Sequence, residues 1–218
     1  MKTEQRLKEL HVSGSALFGE WHSPDLRFLA LGSPHIPTKG HDWLKLWRCD
    51  GPQAKLVLED RGISEHATAF RPDGRQLAVG HRDGTLTVYD TETGAVVRQW
   101  QVGVAPFAAV FHPRLPRLAV ACGVEVRLYD VESGALLSPR FTNPNGVSAV
   151  AWNPDGRRLA IDCFEQKLVL WDSETGQQLT LDYQAPGRGG LDLRFNATGD
   201  PGSGRCRIVA TVRDTLPK

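Results

Sequence analysis

Aspartate recurs at a fixed place in this chain. Asp90, Asp130 and Asp172 each follow an aromatic residue (Tyr89, Tyr129, Trp171) and each stands four residues before a glycine. Carboxylates at a regular interval could hold a cation or move a proton. They could equally accept the free amides of a turn, the usual task of an Asp followed by Ser or Thr and Gly. Repetition favours the turn, because a residue type that returns in every copy of a unit is serving the unit. Asp83, in His81-Arg82-Asp83-Gly84, reads the same way. The other carboxylates that could act at a shared centre, Glu20, Glu65 and Asp162, sit at non-equivalent positions. His35 and His41 lie six apart with no Cys or Glu beside them, which is a weak metal pattern. Cys122 and Cys163 each fall 11 residues after an aromatic, where the preceding copy has His81 after Phe70. With Cys49 and Cys206 they form no Cys-x-x-Cys, so reduced structural thiols are expected. Nucleophile-elbow, zinc-protease, calcium-loop and dinucleotide patterns are missing from the sequence. The Gly-rich run from Gln184 to Gly190 has no Gly-Lys-Ser/Thr and reads as a connector. The expectation is no catalytic, cofactor-binding or metal-ligating residue, and no enzyme.

The elements that carry these residues are short strands between polar turns. Residues 151–176 run strand, turn, strand, turn, strand, turn. Asn153-Pro154-Asp155-Gly156 is turn chemistry, because Pro fixes φ and Gly accepts a positive φ. Leu159–Ile161 is a short apolar run, and Leu168–Trp171 is rich in residues that strands prefer. The stretch returns at 70–94 and at 111–134. From Phe70 to Phe111 is 41 residues, and from Phe111 to Trp152 is 41 again. Trp21-His22-Ser23-Pro24-Asp25 opens an earlier copy and Phe195-Asn196-Ala197-Thr198-Gly199-Asp200 a later one.

A period near 40 residues, a Trp-Asp or Tyr-Asp ending and Pro-Asp-Gly turns resemble the WD-repeat β-propeller family. The resemblance covers roughly residues 7 to 216 and is strongest in the three middle copies. It implies an all-β fold, a propeller of four-stranded antiparallel blades, incomplete or irregularly closed. The expected organisation is one domain over 1–218, with blades near 14–48, 63–100, 105–141 and 147–182 and a partial one over 191–216. By the same resemblance, residues 7–12 are a candidate ring-closing strand. In the family the Asp of the turn before the third strand joins a buried network with a His, a Ser/Thr and a Trp. Asp83 fits that Asp position, and His66 is a loose candidate for the His. Asp83, Asp90, Asp130 and Asp172 are thus expected as structural turn residues.

The first copy is longer than the others, 26 residues from Trp21 to Trp47 against 19, 18 and 19. The excess falls in the Pro- and Gly-containing stretch 32–43, a loop by composition. The chain carries a net charge of +1 and no basic helical stripe, so direct nucleic-acid binding has no carrier. No apolar run reaches the length of a membrane span, and the first six residues lack the core of a signal peptide, so a cytoplasmic location is expected. What remains is a scaffold whose strands repeat while its loops vary. The expected function is non-catalytic binding of a peptide or protein loop on a propeller face. The alternatives are a sensor or targeting module of a larger signalling protein, or a metal-dependent propeller hydrolase. Aromatic and Arg side chains that break the repeat at loop ends are the expected contacts: His41, Trp43, Arg82, Phe107, Phe164 and Arg188. The expected partner is a protein or peptide of unknown identity. Self-association, or a longer parent chain, would complete the ring.

Overall fold

The computed structural model describes residues 19–33, 43–164, 167–182, 191–197 and 206–212; the side chains of 191–197 and 206–212 are not described. The candidate closing strand over 7–12 lies outside these residues. All regular structure described is β. The first sheet is β1 (Gly19–His22), β2 (Phe28–Gly32), β3 (Trp43–Arg48) and β4 (Lys55–Arg61). The second is β5 (Ile63–Phe70), β6 (Gln76–His81), β7 (Thr85–Asp90) and β8 (Val96–Gln101). The third is β9 (Pro106–Phe111), β10 (Arg117–Cys122), β11 (Glu125–Asp130) and β12 (Leu136–Thr142). The fourth is β13 (Val147–Trp152), β14 (Arg158–Cys163), β15 (Lys167–Asp172) and β16 (Gln178–Asp182). The fifth pairs β17 (Leu191–Ala197) with β18 (Cys206–Val212). Within each of the four complete sheets, consecutive strands are neighbours and the order is a meander.

Two features depart from the sequence reading. The first sheet runs to Arg61, past the expected limit at 48, because Leu56 and Leu58 of β4 pair with Trp47 and Leu46 of β3. The ladder also sets His22, not Trp21, opposite Leu29, as Phe70 stands opposite Leu77. The extra residue before Pro24 caused the slip. Ser23 takes the turn-opening role of Arg71, each bonding its amide to the carbonyl five residues on (Phe28 and Gln76).

Two compact units divide the chain, residues 1–106 and 107–218. In the first, Phe28, Ala30, Leu44, Leu46, Ile63, Leu77, Val79 and Tyr89 form one buried cluster. In the second, Val126, Leu128, Phe141, Val147, Trp152, Leu159, Ile161 and Trp171 form another. In the second sheet, β6 and β7 are buried along four consecutive residues each, so both of their faces are covered; the fourth strands of the sheets are more exposed, with Val96 and Leu136 in water. The recurrent aspartates close the third-to-fourth strand turns. Asp90 accepts from the Thr93 amide at 2.8 Å, Asp130 from the Ser133 amide at 2.7 Å and Asp172 from the Thr175 amide at 2.9 Å. Each turn ends on a glycine of positive φ, Gly94 at 72°, Gly134 at 81° and Gly176 at 74°.

Candidate functional site

Two of the aromatic residues expected at loop ends come together in the second unit. Phe107 lies near the start of β9 in the third sheet. Phe164 lies in the turn between β14 and β15 of the fourth. Their ring centroids are 6.1 Å apart at 81°, an edge-to-face pair. Both remain open to solvent, Phe107 at 43% and Phe164 at 57%. Phe164 sits over Gly146 (φ +93°) in the β12–β13 connector. A Cβ there would lie 2.7 Å from the ring. That connector is tied to the β10–β11 turn: Asn143 donates its amide to the Val124 carbonyl at 2.8 Å, and Val147 to Gly123 at 3.1 Å. Val124 is itself 44% exposed. The exposed aromatic pair therefore lies beside a connector that main-chain hydrogen bonds tie to the turn carrying Val124.

The other expected contacts are dispersed. Trp43 begins β3, is half-buried against the cluster of Leu29, Leu31 and Cys49, and has the Lys45 ammonium 4.9 Å above its ring. Arg82 is exposed in the β6–β7 turn and its Nε donates to the Ile63 carbonyl at 3.1 Å. His41 and Arg188 lie outside the described residues. Asp83 is exposed and accepts from the Thr85 amide at 2.8 Å, which holds its carboxyl below the usual range. The side chain of His66 is not described.

A polar cluster in the first unit escaped the sequence reading. The His81 ring nitrogen Nε2 is 2.9 Å from Oδ2 of Asp60, and the Tyr89 hydroxyl donates to the same oxygen at 2.7 Å. His81 Nδ1 is 3.2 Å from the Thr85 carbonyl. Little of either ionisable side chain meets water, 11% of His81 and 13% of Asp60. The only available signal was an Asp in a strand where copies further along the chain are apolar.

Among the described residues no group of three or more His, Cys, Asp and Glu could hold a metal ion. Glu20 is exposed, the Glu65 side chain is not described, and Asp162 is buried on β14 with the Ser148 hydroxyl donating to it. Cys49, Cys122 and Cys163 are buried. Burial, first of all, pushes the Cys122 thiol up, away from the reactive thiolate. No helix of the described residues is long and apolar enough to cross a membrane.

Comparison with known proteins adds a sequence match and a fold match. The profile of the anaphase-promoting complex subunit 4 WD40 domain matches residues 22–111. The profile of the WD domain, G-beta repeat, matches residues 137–172. Cross-pathway control WD-repeat protein 2 of Flammulina velutipes is 30% identical, over 65% of this chain and 48% of that protein. WD repeat-containing protein VIP3 of Arabidopsis thaliana is 31% identical, over 62% and 47%. Small ribosomal subunit protein RACK1y of Oryza sativa subsp. japonica is 22% identical, over 73% and 51%. The chain spans about half the length of these curated relatives. The solved β-propeller domain of Cps50 (Swd1) from Myceliophteria thermophila superposes with a TM-score of 0.69 at 17% identity, over 91% of this chain and 63% of that one.

Proposed function

From the premise that this chain belongs to the WD-repeat family of β-propeller proteins, we propose that it is a non-catalytic scaffold. In this reading it binds a peptide or protein loop on the edge that carries Phe107 and Phe164. Proteins of this family serve in general as platforms for protein contacts. The observation that carries the reading is the exposed edge-to-face pair. Two aromatic rings left in water by a protein that buries Trp152, Trp171 and Phe141 lose apolar hydration when a partner covers them. Aromatic anchors on a held backbone also lose little side-chain freedom on binding. The partner's complementary element is an apolar side chain in an extended or looped segment, which can meet the two rings together. The reading includes a cytoplasmic location and no cofactor.

The test is selection of peptides from a random display library on the immobilised chain, followed by titration of the enriched peptides. The variant F107S/F164S is expected to weaken them by tenfold or more, on the order of 1.4 kcal/mol, with unfolding temperature unchanged. Enriched peptides that bind the variant as well as the parent would place the contact elsewhere and end this proposal. No enrichment above background would do the same.

A further inference from the structure

The ladder registers allow the polar cluster of the first unit to be set beside its counterpart in the second. Asp60 pairs with Leu44 in the first sheet as Phe141 pairs with Val126 in the third. His81 ends β6 as Cys163 ends β14. Tyr89 stands opposite Leu77 as Trp171 stands opposite Leu159. At one junction the outer strand of a sheet therefore meets the next sheet through Phe141, Cys163 and Trp171. All three are buried in one apolar cluster, with the Phe and Trp rings 6.2 Å apart. At the other junction the same three positions carry Asp60, His81 and Tyr89, joined by hydrogen bonds. All three positions differ together. A lone Asp among apolar neighbours would be a buried charge without a partner, which is strongly destabilising. The His and Tyr make the Asp tolerable, and their joint presence indicates a device in place of a defect.

We propose that Asp60, His81 and Tyr89 form a proton-controlled latch that fastens β4 of the first sheet to the second sheet. In the fastened state His81 is protonated and Asp60 ionised, so the contact is a charge-assisted hydrogen bond in a largely dry site. In the released state His81 is neutral and a weaker neutral donor remains. Burial opposes the imidazolium, but the Asp60 carboxylate outweighs it and the His81 pKa is raised above the ordinary 6.5. Burial likewise opposes the Asp60 charge, and the bonds from His81 and Tyr89 outweigh it, leaving that pKa below 3.8. The His81 contribution is thus fully present below about 6.5 and lost as pH rises through its folded value. The Asp60 contribution is present above about 3.8 and lost only in stronger acid. The latch holds on the acid side of the folded His81 value and slackens as pH rises through it.

The other charged groups near His81 are accounted for element by element. From the β6–β7 turn, Asp83 adds an attractive field, and Arg82 is directed to the Ile63 carbonyl. On β4, Glu59 is engaged by Lys45 at 3.6 Å and by Arg61 at 2.8 Å. On β7 the nearest groups are the Thr85 carbonyl and Tyr89. On β5, the side chains of Glu65 and His66 are not described.

The test uses the full chain. The His81 ring is titrated by NMR, its signal assigned by loss in H81Q, and amide protection in β4 is followed from pH 6 to 9 after correction for intrinsic exchange. The expected midpoint lies above 6.5 in the parent and falls below it in D60N. Protection of β4 is expected to drop by about tenfold for each unit by which that midpoint exceeds 6.5. The exchange D60F/H81C/Y89W installs the apolar set of the other junction and is expected to abolish this pH dependence. A parent midpoint at or below 6.5 would overturn the latch, as would β4 protection independent of pH. D60N answers the question even where the triple variant does not fold.

Discussion

Asp172 is nearly all buried, and its carboxylate is employed by its own turn and by Arg157. It accepts from the amides of Glu174 at 3.1 Å and Thr175 at 2.9 Å and from Arg157 Nε at 3.2 Å. The Thr175 amide, first of all, lowers its pKa to about 2. Removing the acceptor strands two amides, so D172A is expected to cost about 1–2 kcal/mol, read as a shift in the urea midpoint. A loss below a few tenths would mean that water replaces the carboxylate at no cost. Gly80 offers a second test at this scale. A Cβ there would lie 2.4 Å from Pro106 and 2.6 Å from Ala67. Its φ is unremarkable, so the constraint is space alone. Gly80→Val is expected to destabilise by about 1–3 kcal/mol through overpacking, measured by the same denaturation.

At the scale of the element, the turns between first and second strands differ in what fills the position after the strand. Ser23, Arg71, His112 and Asn153 hold equivalent places there. His112 is buried, with Nδ1 accepting from the Arg114 amide at 3.0 Å and from the Leu115 amide at 2.9 Å. Its Nε2–H donates to the Gly156 carbonyl at 2.9 Å, and its ring packs on Trp152 at 4.7 Å. Acceptance at Nδ1 requires the neutral ring, and donation to Gly156 places its proton on Nε2. Burial, the largest cause, lowers its pKa from 6.5. A folded value below the unfolded one means that its contribution is complete above about pH 6.5 and is lost as pH falls. Hydrogen exchange in β9 and β10 is therefore expected to speed up, beyond the intrinsic trend, as pH drops from 7 to 5. In H112N, which installs the residue of the fourth sheet, that response is expected to disappear. An unchanged response in H112N would refute the assignment. The two histidines thus act in opposite directions, His81 supporting the first unit toward acid and His112 the second toward neutrality.

At the scale of the molecule, the four complete sheets repeat while their junctions do not. The first unit is also fastened by a surface network in which Arg27 and Arg48 share Asp50 and Glu92. Arg27 reaches from the first sheet to the β7–β8 turn of the second. These side chains are partly exposed, so each pair contributes little and salt screens it. The proposed binding edge belongs to the second unit and shares no residue with either feature. Partner affinity at the Phe107–Phe164 edge and the slackening of β4 as pH rises are separable, because no residue serves both.

The sequence by itself determined the turns and the class of fold. Alternation, Pro-Asp-Gly turns and the recurring Asp are local signals, decided by residues a few positions apart. It also picked out Phe107 and Phe164 singly, as aromatics where the repeat breaks. Their meeting was not legible, since it joins residues 57 positions apart through the packing of two sheets. Nor was the Asp60–His81–Tyr89 cluster. Asp60 belongs to no motif, and His81 holds the position that Cys122 and Cys163 hold in later copies. Whether an ionisable side chain is solvated or paired depends on what the next sheet lays over it, and that is a property of tertiary packing. Local chemistry wrote the strands and turns; only the folded chain decided which polar groups lost their water and which aromatic rings kept it.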